Sequence, residues 1–184
     1  MLSEKLKENT KVVHIELERI LVHKIKSIRT IDDYLEILVG FYRFFAPLEK
    51  AIFFQLDKTL PDAVSRRKSE WIVEDIHYFD PSYSSVTPYA STPVIQKPSH
   101  AVGALYVMEG STLGGQMICK MISQKLNLLT SRGLKFFSGY EDNTHVMWGN
   151  FKKFLNSGNW SQEEEKEAVD TANRTFILFK QSID

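Results

Sequence analysis

An all-α fold in a single domain spanning 1–184 is what the sequence predicts, and three observations predict it. Apolar residues recur at spacings of three and four through most of the chain. Capping-box signals, a Ser or Thr followed three residues later by an acid, open two of the periodic segments. No sustained apolar–polar alternation, hairpin turn signal or internal repeat interrupts them. A length of 184 residues suits one domain.

The first helix is expected over residues 3–28, where Leu6, Thr10, Val13, Leu17, Ile20, Leu21 and Ile25 form one stripe. Thr30 with Asp33 caps a second, roughly 31–57, whose apolar surface is too wide to lie exposed and whose Pro47 should kink it. Pro61, favoured as the first helical residue, opens a third through about Phe79. Residues 80–98, with Pro81, Pro88, Pro93 and Pro98, read as a long turn-rich connection, a loop over a helix end or a functional segment. Ser99 caps a fourth helix over about 100–127. A fifth spans about 144–156, and Ser161-Gln162-Glu163-Glu164 opens a sixth that runs to about Lys180.

Composition narrows the function classes. Twenty-three basic and 23 acidic residues cancel, so no net field draws the chain to nucleic acid or to an anionic membrane. The single Cys119 excludes an internal disulfide framework and a cysteine-rich metal site. A charged N-terminus without a signal-peptide core, and the lack of any long apolar run, predict a cytoplasmic protein. Twelve Phe, seven Tyr and three Trp are enough to wall a large apolar pocket.

Two segments break local rules. Glu109-Gly110-Ser111-Thr112-Leu113-Gly114-Gly115 places three glycines inside a predicted helix, each costing about 1 kcal/mol relative to alanine. Either the helix packs tightly or divides there, or it bends so that its backbone presses on a flat ligand. In the first helix, His14 borders the stripe of Thr10, Val13 and Leu17, with Glu18 one turn on. It is either a satisfied core histidine or a metal ligand whose second ring nitrogen is oriented by a carboxylate. Lys7 and Lys11 lie on the same side and suit the anionic rim of a pocket.

Together these segments resemble the haem oxygenase family. The run from Leu6 to His14 is similar to the family's proximal helix, and the glycine segment to its kinked distal helix in the bacterial Glu-Gly-Ser-x-Leu-Gly form. Arg67-Lys68 with Trp71 and Asp75, Phe136-Phe137-Ser138-Gly139-Tyr140, and Trp148 with Phe151 extend the likeness over about residues 2–155, the last group being similar to the oxygenases that accompany bacterial phytochromes. The resemblance implies a haem-oxygenase-like helical bundle with His14 on the haem iron and Glu18 orienting its ring. Gly110, Gly114 and Gly115 would bring the distal backbone over the haem, and Ser111 would organise water where some relatives have aspartate. Lys7, Lys11 and Tyr106 would meet the haem propionates, with Arg174 and Lys180 as further candidates. Glu141, Asn143 and His145 stand where relatives tend to have glycine.

The implied reaction opens haem, both cofactor and substrate, to biliverdin, CO and ferrous iron with O2. No nucleotide fingerprint is present, so electrons would come from an external donor, a ferredoxin or a reductase, and a phytochrome is a candidate biliverdin acceptor. Two rivals are a haem carrier on the same fold and a helical di-iron oxidase built on Glu74-x-x-His77, for which no second such motif exists.

Overall fold

The computed structural model describes residues 1–56, 58–84, 91–128 and 132–183, and among these the regular elements are all helical. They are α1 (Leu2–Ser27), α2 (Ile31–Leu56), α3 (Glu70–Phe79), α4 (Pro98–Gly110), α5 (Thr112–Leu126), α6 (Lys135–Ser138), α7 (Thr144–Ser157) and α8 (Gln162–Ile183). Single 3-10 turns at Ala63–Ser65 and Glu141–Asn143 join them.

Both capping boxes form. Asp33 N donates to Thr30 Oγ1 at 3.1 Å while Thr30 N donates to Asp33 Oδ2 at 2.9 Å. Glu164 N donates to Ser161 Oγ at 3.2 Å and Ser161 N to Glu164 Oε2 at 2.8 Å. These reciprocal bonds satisfy amide groups that a helix start leaves without partners. The helix α2 keeps its assignment through Pro47.

Two expectations need correction, the fourth helix takes one of its two alternatives, and one short element is new. Pro61 does not start a helix: the chain makes a 3-10 turn, Arg66 is extended, and α3 begins at Glu70. The pull is tertiary, because Arg66 and Arg67 both turn inward and Ser69 N is capped by Glu49 Oε2 of α2 at 2.6 Å. Ser99 lies inside α4 after Pro98, and its hydroxyl donates to Glu167 of α8 at 2.7 Å instead of capping. The expected fourth helix divides at Ser111 into α4 and α5. The short α6 has no signal in the periodicity because it is one turn held by tertiary contacts. Of the connection 80–98, residues 80–84 and 91–97 form no helix, and Pro88 lies outside the described residues.

The core centres on phenylalanines. Phe41, Phe44 and Phe45 of α2 meet Phe179 of α8 at ring-centroid distances of 4.9–5.0 Å, and Phe136 and Phe137 of α6 close on Phe41 at 5.8 and 5.1 Å. Such edge-on contacts add about 0.5–1.5 kcal/mol each beyond area burial. Gly103 lets α4 approach α8: a β-carbon there would stand 2.1 Å from the Ala168 carbonyl oxygen.

Asp75 of α3 anchors α6 by accepting from Lys135 N and Phe136 N, both at 2.8 Å. Burial outweighs these bonds and holds its carboxyl up at about 6. Against an ordinary value of 3.8, the folded chain therefore takes up a proton. The stabilisation this carboxyl contributes is full below about pH 4 and is lost as pH rises through about 6, on the order of 3 kcal/mol in all. Urea unfolding between pH 4 and 7 should show this slope in the wild type and lose it in Asp75→Asn. An unchanged slope would assign the pH dependence elsewhere.

Candidate functional site

Two contacts set α1 beside the α4–α5 pair. Lys125 Nζ of α5 donates to Ile28 O at the end of α1 at 3.4 Å, and the Tyr106 hydroxyl of α4 lies close to Thr10 of α1. The stretches from Thr10 to Ile28 and from Tyr106 to Lys125 are nearly equal, so the helices run the same way. His14 lies one turn beyond Thr10 on α1, and Gly110 one turn beyond Tyr106 on α4.

Between those contacts both helices present surface that no neighbour fills. The His14 side chain is 48% exposed. Gly110, Leu113, Gly114 and Met117 share a face of the distal pair by their spacing of three and four. Leu113 and Met117 are 42% and 67% exposed, and a β-carbon at Gly114 would meet nothing within 4 Å. A half-exposed imidazole on one helix and an exposed apolar face with a bare glycine backbone on the other are a donor set suited to a flat, largely apolar metal complex, with iron bound by the imidazole.

His14 is held from two sides. Glu18 Oε2 lies 3.7 Å from Nδ1, within ion-pair range and too long for a hydrogen bond. Phe176 of α8 meets the ring edge-on at 5.5 Å, a partner the sequence signalled only as one of many apolar residues. On either side, Lys5 with Glu165 at 2.5 Å and Glu16 with Lys180 at 2.7 Å tie α1 to α8.

The junction at Ser111 rests on a buried polar cluster. Arg66 donates to Glu109 Oε2 at 2.6 Å, to Asp62 at 2.7 and 2.9 Å, and to Met147 O at 3.1 Å. Tyr140 donates to the Glu109 carboxylate at 2.9 Å and accepts from Arg67 N at 2.7 Å. Arg67 Nη2 donates to Met108 O and to Ser111 Oγ, both at 2.6 Å. Burial pushes the Glu109 carboxyl up while both guanidiniums pull it back, and it pushes the Arg67 guanidinium down. Tyr140 is driven well above the usual phenol range by burial and by Glu109. The motif containing Arg67 and Tyr140 was visible in the sequence; their convergence on Ser111 was not, since the segments are far apart in the chain.

The glycines divide by task. Gly110 and Gly114 face the open side, with Trp148 Cη2 3.8 Å from where a Gly110 β-carbon would be. Gly115 is buried, and a β-carbon there would stand 2.0 Å from the Phe137 carbonyl oxygen. Its bareness therefore admits α6.

At the N-terminal end of the gap, Lys7 and Lys11 are exposed and Tyr106 is half-buried against Trp148 at 5.4 Å. Ser3 N donates to Asn156 Oδ1, which ties the end of α7 to the start of α1. Lys152 Nζ of α7 lies 6.0 Å from the centroid of the Trp148 ring. Lys180 is already engaged by Glu16, and Arg174, two positions from Phe176, points to another side of α8 from the His14 contact. The Glu74-x-x-His77 pair is occupied elsewhere: Glu74 pairs with Lys135, and His77 Nε2 lies 3.0 Å from Tyr83 O.

A family model described as heme oxygenase matches residues 1–184. The chain belongs to the haem oxygenase family. Its activity is that of the family, oxidative haem degradation with haem as cofactor and substrate. The fold agrees. A haem oxygenase from Leptospira interrogans superposes with a TM-score of 0.81 at 18% identity, covering 99% of this chain and 98% of that one. The NO- and CO-bound enzyme of Neisseria meningitidis gives 0.82 at 22%, covering 100% and 90%. Haem oxygenase-2 of Synechocystis, in complex with haem and NO, gives 0.79 at 20%, covering 99% and 83%. No relative matches among curated proteins. No helix among the described residues of this haem oxygenase family member is long and apolar enough to cross a membrane.

Proposed function

We propose that haem binds in the gap between α1 and the α4–α5 pair, with His14 on its iron, and is cleaved there by O2 to biliverdin, CO and ferrous iron. The half-exposed imidazole of His14 on α1 and the bare, open faces of Gly110 and Gly114 on the helix pair beside it support this reading. When bound, haem supplies the redox-active iron and the ring that is oxidised. The chain supplies the rest. Phe176 and Glu18 orient the imidazole, the glycine backbone limits the space above the ring, and Ser111 holds water at the junction. Lys7, Lys11 and Tyr106 face the propionates. Electrons come from an external ferredoxin or reductase, the site of action is the cytoplasm, and a phytochrome is a candidate acceptor for the product.

Titration with haemin followed by ascorbate in air tests the reading. A saturable 1:1 Soret band that bleaches into biliverdin absorption supports it. A Soret band stable to reductant and air would make the chain a haem carrier, and the absence of a band would remove haem from this gap.

Gly114→Ala separates packing from function. The substitution meets no protein atom, so the haem-free protein should gain up to about 1 kcal/mol of helix stability. The added methyl projects into the gap, where overpacking costs about 1–3 kcal/mol, so haemin affinity should fall about tenfold or more. Calorimetry of the apoprotein with a haemin titration checks both. Unchanged affinity would mean that haem does not approach Gly114.

A further inference from the structure

We propose that Arg67 is a positioning residue that makes the Ser111 hydroxyl acceptor-only toward the gap, so that a neutral side chain presents there what a carboxylate would. The inference rests on the haem-site reading above and adds to it a residue and a direction of hydrogen bonding.

The geometry is a closed triangle. Arg67 Nη2 carries two hydrogens and sits 2.6 Å from both Ser111 Oγ and Met108 O. Ser111 Oγ and Met108 O are themselves 2.7 Å apart. A guanidinium has no lone pair to offer, so the serine hydrogen cannot point at Arg67. Two oxygens at that separation are held together only with a hydrogen between them, and the carbonyl has none. The hydroxyl hydrogen therefore lies on Met108 O, one oxygen lone pair receives Arg67, and one lone pair remains. Water meeting Ser111 must donate to it, which leaves that water's other hydrogen free to point at the substrate.

Arg67 has little freedom to leave the triangle. Its side chain is 5% exposed and its guanidinium lies over the Phe136 ring at 4.3 Å to the centroid. Its main-chain N–H is bound to the Tyr140 hydroxyl. The charged and titratable groups around it are Glu109, Glu49, Tyr140 and the neighbouring Arg66. Glu109 is engaged by Arg66 and Tyr140, so it does not draw Arg67 away from Ser111. Without the clamp, Ser111 is a half-buried helix-junction serine free to rotate and to donate.

The test uses the ferric haem complexes of the wild type, Ser111→Ala, Arg67→Lys and the double variant. The readout is the pH midpoint of the visible spectrum, which follows ionisation of water on the distal side of the haem. An acceptor at Ser111 favours that water over hydroxide, so Ser111→Ala should lower the midpoint by about half a unit or more. Arg67→Lys keeps the charge and breaks the planar clamp, so it should shift the midpoint the same way. Because Arg67 acts through Ser111, the double variant should move no further than Ser111→Ala alone. Additive shifts, or a midpoint unmoved in Ser111→Ala, overturn the proposal even where thermal stability falls. Should Arg67→Lys fail to fold, an unmoved midpoint in Ser111→Ala, which removes only a half-buried hydroxyl, still overturns the proposal. A wild type that takes up no haemin refutes the site reading itself, a result separable from either of these.

Discussion

Haemin added to the His14→Ala protein is expected to give no imidazole-ligated Soret band, with biliverdin formation reduced at least about a hundredfold. Losing an outer partner of a metal-bound histidine already costs about 10–100-fold, and losing the ligand should exceed that. The fold should hardly register the change. His14 is half-exposed and its main packing contact is the edge of Phe176, a contact of about 0.5–1.5 kcal/mol. At about 2–4 °C per kcal/mol for a domain of this size, the unfolding midpoint should drop by only a few degrees. Glu18→Gln makes a graded companion: at 3.7 Å the carboxylate holds the ring loosely, so affinity should weaken by about tenfold or less. Spectra of all three proteins, with calorimetry on the haem-free forms, check the set. A His14→Ala protein with an unaltered Soret band would dismiss His14 as the ligand.

The opposite pattern is expected for Gly103→Ala, which should disable folding without touching the site chemistry. The new β-carbon would lie 2.1 Å from the Ala168 carbonyl oxygen and 2.9 Å from its carbon. Both are backbone atoms, so no rotamer change relieves the clash and α4 and α8 must part. Overpacking of ordinary cores costs about 1–3 kcal/mol; separating two helix backbones should exceed about 3 kcal/mol, a large share of the 5–15 kcal/mol typical of a whole domain. The midpoint should fall by about 10 °C, or the protein should accumulate as aggregate. A soluble Gly103→Ala protein with a wild-type midpoint would mean that α4 and α8 pack less closely than described.

What the sequence disclosed follows from the range of the interactions involved. The capping boxes at Thr30 and Ser161 are local, and both were legible as spacing. The spans of α1, α7 and α8 agree with apolar periodicity to within a few residues. The start of α3 was not legible, because Arg66 and Arg67 are drawn inward by Glu109, Met108 and Ser111, some forty residues on in the chain. For the same reason the glycines looked alike in the sequence: only the fold shows that Gly114 opens on empty space while Gly115 receives the Phe137 carbonyl. The left-handed backbone of Glu141 was likewise not legible in the sequence. His14 and the glycine segment stood out in the sequence because each broke a local rule.

The polar cluster beneath Ser111 also shapes how such a protein can change over generations. Glu109 is closed in by Arg66, Tyr140 and the field of Arg67, so altering any one of these alone strands a buried charge at a cost of several kcal/mol. In the proposed site, position 111 borders the gap and asks only for an oxygen that Arg67 can reach. Serine, aspartate and asparagine are thus accessible to one another there by single substitutions, while position 109, two residues away, is open only to concerted ones. Tuning of the distal chemistry can then drift at one residue while the frame that supports it stays fixed.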